Sequence, residues 1–345
     1  MTTQFFNTLF VQTDGSYLSL DHETLLLKVD KELKLKIPLH HLGSIIAMGR
    51  VILSSPLIAR CAKDGRNVAF FDFKGEFQYR IEGPVSGNIL LRQAQFNSVD
   101  DAEVCRNLVK AFVGGKIHNC RLMLQRVQRE LDDENKKSTI KKATDEMKKD
   151  LSRLVKENHS VDSLRGIEGI NAKRYYACFP LWLKNKDDFF TFKGRNRRPP
   201  QDAVNAVLSF LYRLLLNDCV GAVQGVGLDP QIGFLHVVRP GRPALGLDLM
   251  EELRPLFADR LTIALINRGQ LRKVHFDVRP GGAVHLNGKG RKIVVNEYQE
   301  KKKEEITHPA TGQKLAFGLL PHIQAKILAR SIRRDHLDYQ PYLHR

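Results

Sequence analysis

Over residues 1 to about 95 the chain alternates apolar and polar positions or places apolar residues in short bursts. The runs TLFVQT, SYLSL, TLLLKV and LKLKIPL are cut by the turn signals DG, DH and DKE. A period of two over such short runs predicts β-strands. IIAMGRVILSSPLIARCAKDG then reads as strand, turn and short helix. Ser54 and Ser55 precede Pro56, which sets a capping hydroxyl before a proline in the first helical turn. Gly65 ends that helix, NVAFFDF is a buried strand, and FQYRI follows after the KGE turn.

The periodicity changes after a Gly- and Pro-bearing break near residues 83–100. From VCRNLVKAFVGGKIHNCRLMLQRVQREL onward, apolar residues recur every three or four positions, the period of a helix with one buried face. Residues 130–158 are strongly charged with sparse apolar positions; they read as a solvated helical hairpin, or as a basic arm touching phosphates. QEKKKEE at 299–305 predicts a mobile loop. A chain of 345 residues exceeds one compact core, so two domains are expected. The fold class is α+β: a small N-terminal β-rich domain over 1–95, a linker region over 83–104, and a larger, mostly α-helical domain over 105–345.

Charge narrows the class of partner. Lys and Arg outnumber Asp and Glu by 55 to 38, a formal net charge of +17. Such an excess attracts polyanions, of which nucleic acid is the commonest, although a basic surface also serves solubility. No run of about 18 apolar residues predicts a membrane span, and the N-terminus lacks a cationic stretch followed by an apolar one. Five scattered cysteines without a C-x-x-C pair fit a reducing cytoplasm and argue against a zinc knuckle.

The densest chemistry lies between residues 166 and 251. GRNRRPPQDAVNAVLSFLYRLL, residues 194–215, runs a basic, proline-stiffened loop into an apolar helix. Glu168, flanked by Gly166 and Gly169, is placed in the first turn of a helix, where an acid also simply suits the helix dipole. His236 ends the burst IGFLH, a position that a structural histidine also fills. Asp248 and Glu251 are three apart on an amphipathic helix and share a face that can point back at His236. These four groups suit one divalent ion, Mg or Mn, whose hard character prefers carboxylates while Mn tolerates an imidazole. Arg239 and Arg242, with three Pro and Gly residues, form a stiff cationic loop suited to holding a phosphate beside that ion. Lys193, Arg195, Arg197 and Arg198 are candidates for DNA-backbone contact, against a reading as a solvated loop. Asn205 reads as tying that loop to its helix. There is no H-E-x-x-H, Walker A loop, G-x-S-x-G or Rossmann fingerprint. His275, His285, His308 and His322 have no metal-ligand spacing.

Taken together and in order, RGIEG–NAKRYY, GRNRRPPQDAVNAVLSFLYRLL, VGLDPQIGFLH and PGRPALGLDLMEELRP resemble the CRISPR-associated endonuclease/integrase, the larger protein of the spacer-acquisition machinery. The opening, with LHHLGSIIAMG and ILLRQAQF, is similar to the form accompanying type I-C systems. The resemblance implies an N-terminal β domain that forms a homodimer and a C-terminal α-helical catalytic domain. It implies that Glu168, His236 and Glu251 bind one divalent ion, with Asp248 assisting and Tyr212 near the site. It further implies double-stranded DNA and a small ferredoxin-like CRISPR-associated protein as partners, and joining of a DNA 3′-hydroxyl to a phosphodiester at the edge of a repeat. Two other functions remain open: a non-catalytic DNA-binding scaffold, and an integrase of a mobile element outside CRISPR.

Overall fold

The computed structural model describes residues 7–73, 75–83, 89–185, 187–196, 199–334 and 338–345. Eight strands and one helix open the chain: β1 (Asn7–Val11), β2 (Tyr17–Asp21), β3 (Thr24–Val29), β4 (Glu32–Pro38), β5 (Leu42–Met48), β6 (Ile52–Leu53), α1 (Ser55–Lys63), β7 (Asn67–Phe71) and β8 (Phe77–Ile81). They form two sheets, ordered β4-β3-β2-β6 and β1-β5-β7-β8. Asp30 and Lys31, both at positive φ, make the two-residue turn between β3 and β4, as the twist of a hairpin requires. Ser54 caps α1 by accepting from the Leu57 amide, and Gly65 leaves it at φ +65°.

Alternation decides which side of β5 and β7 each residue serves. Ile45, Ala47, Val68 and Phe70 face an apolar cluster with Leu18, Leu25 and Leu57. Their neighbours Ile46, Met48, Ala69 and Phe71 join the larger cluster built by the helices. Successive strand side chains point to opposite faces, so this sheet is covered on both.

The rest of the described chain is mostly helical: α2 (Ile89–Asp100), α3 (Ala102–Glu130), α4 (Glu134–Lys156), α5 (Val161–Ala177), α6 (Phe179–Trp182), α7 (Ala203–Gly225), α8 (Ala244–Glu251), α9 (Arg260–Asn267), α10 (Gly288–Lys303) and α11 (Leu320–Ile332). A π-helical turn, Pro255–Asp259, precedes α9. The small hairpins β9 (Phe276–Val278) with β10 (Val284–Leu286), and β11 (Glu305–Thr307) with β12 (Lys314–Ala316), flank α10. By length and composition α7 could cross a membrane, yet most of it is buried inside the protein. It packs on α8, α9, α11 and the hairpin strand β10.

Three sequence expectations need correction. The stretch expected as a linker contains α2, because Leu91, Gln95 and Ser98 on it are buried. Gln95 bonds the Asp229 and Ile232 carbonyls at 2.9 and 2.8 Å and accepts from the Asp229 amide. The expected mobile loop at 299–305 is instead the end of α10 and the start of β11. Lys302 is buried there, with Nζ 2.8 Å from Asp218 Oδ2. The charged stretch at 130–158, expected as a solvated hairpin, is instead a single helix: Ile140, Met147 and Leu154, seven apart, bury one stripe of α4, which packs on α3.

The last residues strap across α3. Tyr339 Oη donates to Glu252 Oε1 at 2.8 Å, and the Tyr342 amide donates to Oε2 at 3.1 Å. Asn119 on α3 donates to the Tyr342 carbonyl and accepts from the His344 amide. A Cβ on Gly115 would stand 2.8 Å from Pro341 Cβ and 3.2 Å from Glu252 Oε2, whereas one on Gly114 would meet nothing within 4 Å. Denaturant unfolding is therefore expected to show Gly114→Ala stabilising by roughly 0.5–1 kcal/mol through helix propensity, and Gly115→Ala destabilising by about 1–3 kcal/mol through overpacking. Equal effects at the two sites would contradict the packing described.

Burial, with Arg126, Arg260, Lys301 and His118 nearby, pushes the His344 imidazole down to about 4 from its ordinary 6.5. The unfolded chain takes up this proton first, so the contribution of His344 is present above about 6.5 and is lost as pH falls toward about 4. The melting temperature of the wild type, compared with His344→Asn, is expected to drop over that interval. Parallel curves would rule this out.

Candidate active site

Five helical elements bring one cluster of charge together. Lys116 projects from α3, Glu168 from α5, Tyr212 from α7, Glu251 from the end of α8, and Asp259 from the π-helical turn. Arg254 follows Glu251 by one turn. The Lys116 ammonium bonds Glu168 Oε1 and lies 2.6 Å from Glu251 Oε2. Arg254 Nη1 donates to Glu251 Oε1 at 2.7 Å. His236 Nε2 stands 3.7 Å from that same oxygen. Glu168 and Glu251 thus share one ammonium and His236 borders Glu251, although 83 positions separate the first acid from the second.

Glu168 sits at the middle of α5, not in the first turn as its sequence context predicts. The helix begins earlier, at the Ser160 cap. The dipole explanation for this acid falls away, since that effect is confined to the first turn.

Asp248 has a different role from that of an assisting ligand. It is wholly buried. Its Oδ2 accepts the Phe234 and Leu235 amides at 2.6 and 3.0 Å, and its Oδ1 accepts the His236 amide at 2.9 Å and bonds Nδ1 at 2.7 Å. A carboxylate can only accept, so Nδ1 carries a proton and Nε2 is the ring nitrogen turned toward Glu251. A Cβ on Gly233 would come within 2.8 Å of Asp248 Oδ2 and 2.6 Å of the Ala244 carbonyl carbon. Only glycine leaves room for this wrap. Arg165 holds the loop from outside through the Leu235 carbonyl at 2.8 Å.

Burial pushes the Glu251 carboxyl up, but Arg254, Lys116 and His236 outweigh it and hold the group well below the usual carboxylate range. Burial likewise works against the Lys116 ammonium, and Glu251 and Glu168 overcome it. Glu251 Oε2 is buried without a well-aligned hydrogen bond, despite the ammonium beside it. Among the described residues no three His, Cys, Asp or Glu side chains stand around a common point at ligand spacing; the ammonium of Lys116 lies between the two carboxylates. The donor set, two carboxylate groups and one imidazole nitrogen, is of the chemical kind that suits a divalent ion such as Mg or Mn.

Behind Glu251 runs a chain of hydrogen bonds. Arg254 Nη2 donates to Tyr176 Oη at 3.2 Å, Tyr176 and Tyr212 share a bond of 2.7 Å, and Tyr212 donates to Asp259. The Arg254 guanidinium also lies over the Tyr212 ring, 4.2 Å from its centroid. Arg195 covers the same ring at 5.1 Å. Its other donors reach Asn205 Oδ1 and Ser209 Oγ at 2.7 and 3.1 Å. Arg195 therefore braces the site from within, and is half-buried where an exposed phosphate contact was expected. Asn205 ties the loop to α7 through the Gly194 carbonyl, the Asn196 amide and Asp202. Lys193 and Arg239 are exposed and Arg242 is half-buried, its Nη1 3.4 Å from the Val237 carbonyl. Arg197 and Arg198 lie outside the described residues.

Lys116, Arg165, Tyr176, Arg254 and Asp259 were not singled out from the sequence. One signal was present for Lys116. It falls on the buried stripe of α3, between Phe112 and Cys120 at four-residue steps, where an unpaired lysine is almost never found.

Residues 9–300 match the family model described as CRISPR associated protein Cas1. The chain is 47% identical over 339 residues to the CRISPR-associated endonuclease Cas1 1 of Moorella thermoacetica, with 98% of each covered. In fold it is similar to a casposase bound to integration product, with a TM-score of 0.83 at 22% identity over 99% of this chain and 95% of that one. It is also similar to a Cas6-RT-Cas1–Cas2 complex, with a TM-score of 0.79 at 22% identity over 98% of this chain and 36% of that one. The residues matched by the family model and the full-length identity to the Moorella protein together make this chain a member of the Cas1 family of CRISPR-associated proteins.

Proposed function

We propose that this protein is a divalent-metal-dependent DNA endonuclease and integrase that joins new spacers to a CRISPR array. The observation that carries the reading is the convergence of Glu168 and Glu251 on one ammonium with His236 Nε2 turned toward Glu251. The endonuclease named among its relatives and the casposase with its integration product support the same chemistry.

Glu168, His236 and Glu251 would hold the Mg or Mn ion. Such an ion polarises a phosphate oxygen and stabilises charge developing in an in-line displacement. Asp248 fixes the tautomer of His236. Arg254, locked by Tyr176 and stacked on Tyr212, fixes the carboxylate of Glu251. A DNA 3′-hydroxyl attacks the repeat-edge phosphodiester and the repeat strand departs as its own 3′-hydroxyl. Water in place of the attacking hydroxyl gives nuclease action. Lys193 and Arg239 supply exposed charge and Arg242 half-buried charge for DNA backbone, Arg197 and Arg198 are further candidates from the sequence alone, and such contact is salt-sensitive by nature.

The working assembly is a homodimer on double-stranded DNA with a small ferredoxin-like partner; the similar chain found in a complex with Cas2 supports such a partner. The type I-C form and a cytoplasmic location complete the reading. The first rests on the opening motifs, the second on five free cysteines.

Two outcomes test this. His236→Ala is expected to abolish strand joining on a repeat-bearing plasmid with Mg or Mn, while salt-sensitive DNA binding stays nearly intact. Persistent joining would remove His236 from the catalytic set and overturn the reading in this form. Asp248→Asn keeps the shape but sets an amide against ring and backbone donors. Joining is expected to fall about 10–100-fold, the usual cost of losing the partner that orients a ligating histidine. An unchanged rate in a single-turnover assay would remove Asp248 from this role.

A further inference from the structure

Glu251 carries more positive charge than one carboxylate needs. Lys116 and Arg254 both reach it, and the side chains of all three are at least nine-tenths buried. Glu168 adds the second negative charge, bonded to the same ammonium. The two acids and two bases cancel. A divalent ion entering this set therefore meets a pocket whose carboxylates are already balanced, and buried charge without compensation is costly. A phosphodiester supplies negative charge of the kind that would restore the balance.

We propose that Lys116 is a resident counter-cation that competes with the divalent ion for Glu168 and Glu251, so that the ion is held firmly only when a DNA phosphate is present. Lys116 is a positioning residue here, acting through the two carboxylates. The inference rests on the ligand set proposed above. It makes DNA and ion bind cooperatively, and by thermodynamic reciprocity each raises the affinity for the other. In the DNA-free protein the ammonium keeps two like-charged carboxylates together, which would otherwise repel. With DNA, the same ammonium would exchange a carboxylate for the arriving phosphate, to which a lysine contributes a compact point charge. Free protein therefore does not cleave DNA at random through a permanently loaded centre.

The test is Mn²⁺ affinity, measured by electron paramagnetic resonance of the free ion and by calorimetry, on the full chain with and without a short DNA duplex. Wild type should bind Mn²⁺ weakly alone and about tenfold or more tightly with DNA, within the usual range of coupling between sites. Lys116→Met should bind Mn²⁺ about tenfold more tightly than wild type without DNA, and the gain from DNA should shrink to roughly twofold. Lys116→Arg keeps the charge and should behave as wild type. Lys116→Gln, which keeps a polar head against the carboxylates, is measured alongside in case the methionine variant folds poorly, and should shift in the same direction.

Mn²⁺ binding by both neutral variants that equals or falls below wild type, while Glu168→Gln and Glu251→Gln abolish it, would overturn the role of Lys116 and leave the ligand set standing. Mn²⁺ binding untouched by Glu168→Gln and Glu251→Gln would place the ion elsewhere and sink both. A purely structural lysine would alter melting without altering the coupling between ion and DNA.

Discussion

A carboxylate buried between two cations organises this protein. Glu251 is removed from water at the end of α8, and it stays ionised because Lys116 and Arg254 flank it. A buried ion in low dielectric must be paired closely and from fixed positions. That requirement sets where α3 and α8 lie, because Lys116 can reach Glu251 only if the two helices approach closely. Glycine at 115 permits the approach of the chain on that side of α3. Arg254 is in turn stacked and hydrogen-bonded, so its own desolvation is met by Tyr212 and Tyr176.

Two adjacent glutamates show how strongly surroundings decide chemistry. Glu251 faces fixed cations and is driven down. Glu252 is equally buried, but its neighbours are the neutral donors Tyr339, Gln324 and the Tyr342 amide, and burial pushes it up to about 8. The first is suited to holding positive charge at the site. The second is suited to anchoring the C-terminal strap against α3 and α11. One peptide bond separates the two acids, and the rotation of about 100° per helical residue sends their side chains to different layers.

The histidine loop follows a comparable logic. VGLDPQIGFLH has no regular structure of its own to satisfy its amides, so Asp248 accepts three of them together with the ring Nδ1. A loop of this kind holds the His236 side chain more firmly than its lack of helix or strand suggests. The same carboxylate fixes backbone and tautomer at once, which makes it unavailable for other bonds.

Period-two alternation, the Asp30–Lys31 turn, the Ser54–Pro56 start and the Gly65 stop were enough to place the N-terminal strands and the first helix, because those signals are local. Helical spacing did the same for α3, α4 and α7. Glu168, His236, Asp248 and Glu251 were singled out through their residue types and through a resemblance spread over the whole chain. Local signals could not place α2, since its stability comes from Gln95 and Leu91 docking on distant residues rather than from periodicity. Nor could they assign Lys116, Arg254 or Asp259, whose partners sit on other helices. Residue order determines which side chains are available and which face each element buries. Only packing decided that an ammonium from α3 would lie between two acids from α5 and α8, because charge pairing acts across space and leaves no period in the chain.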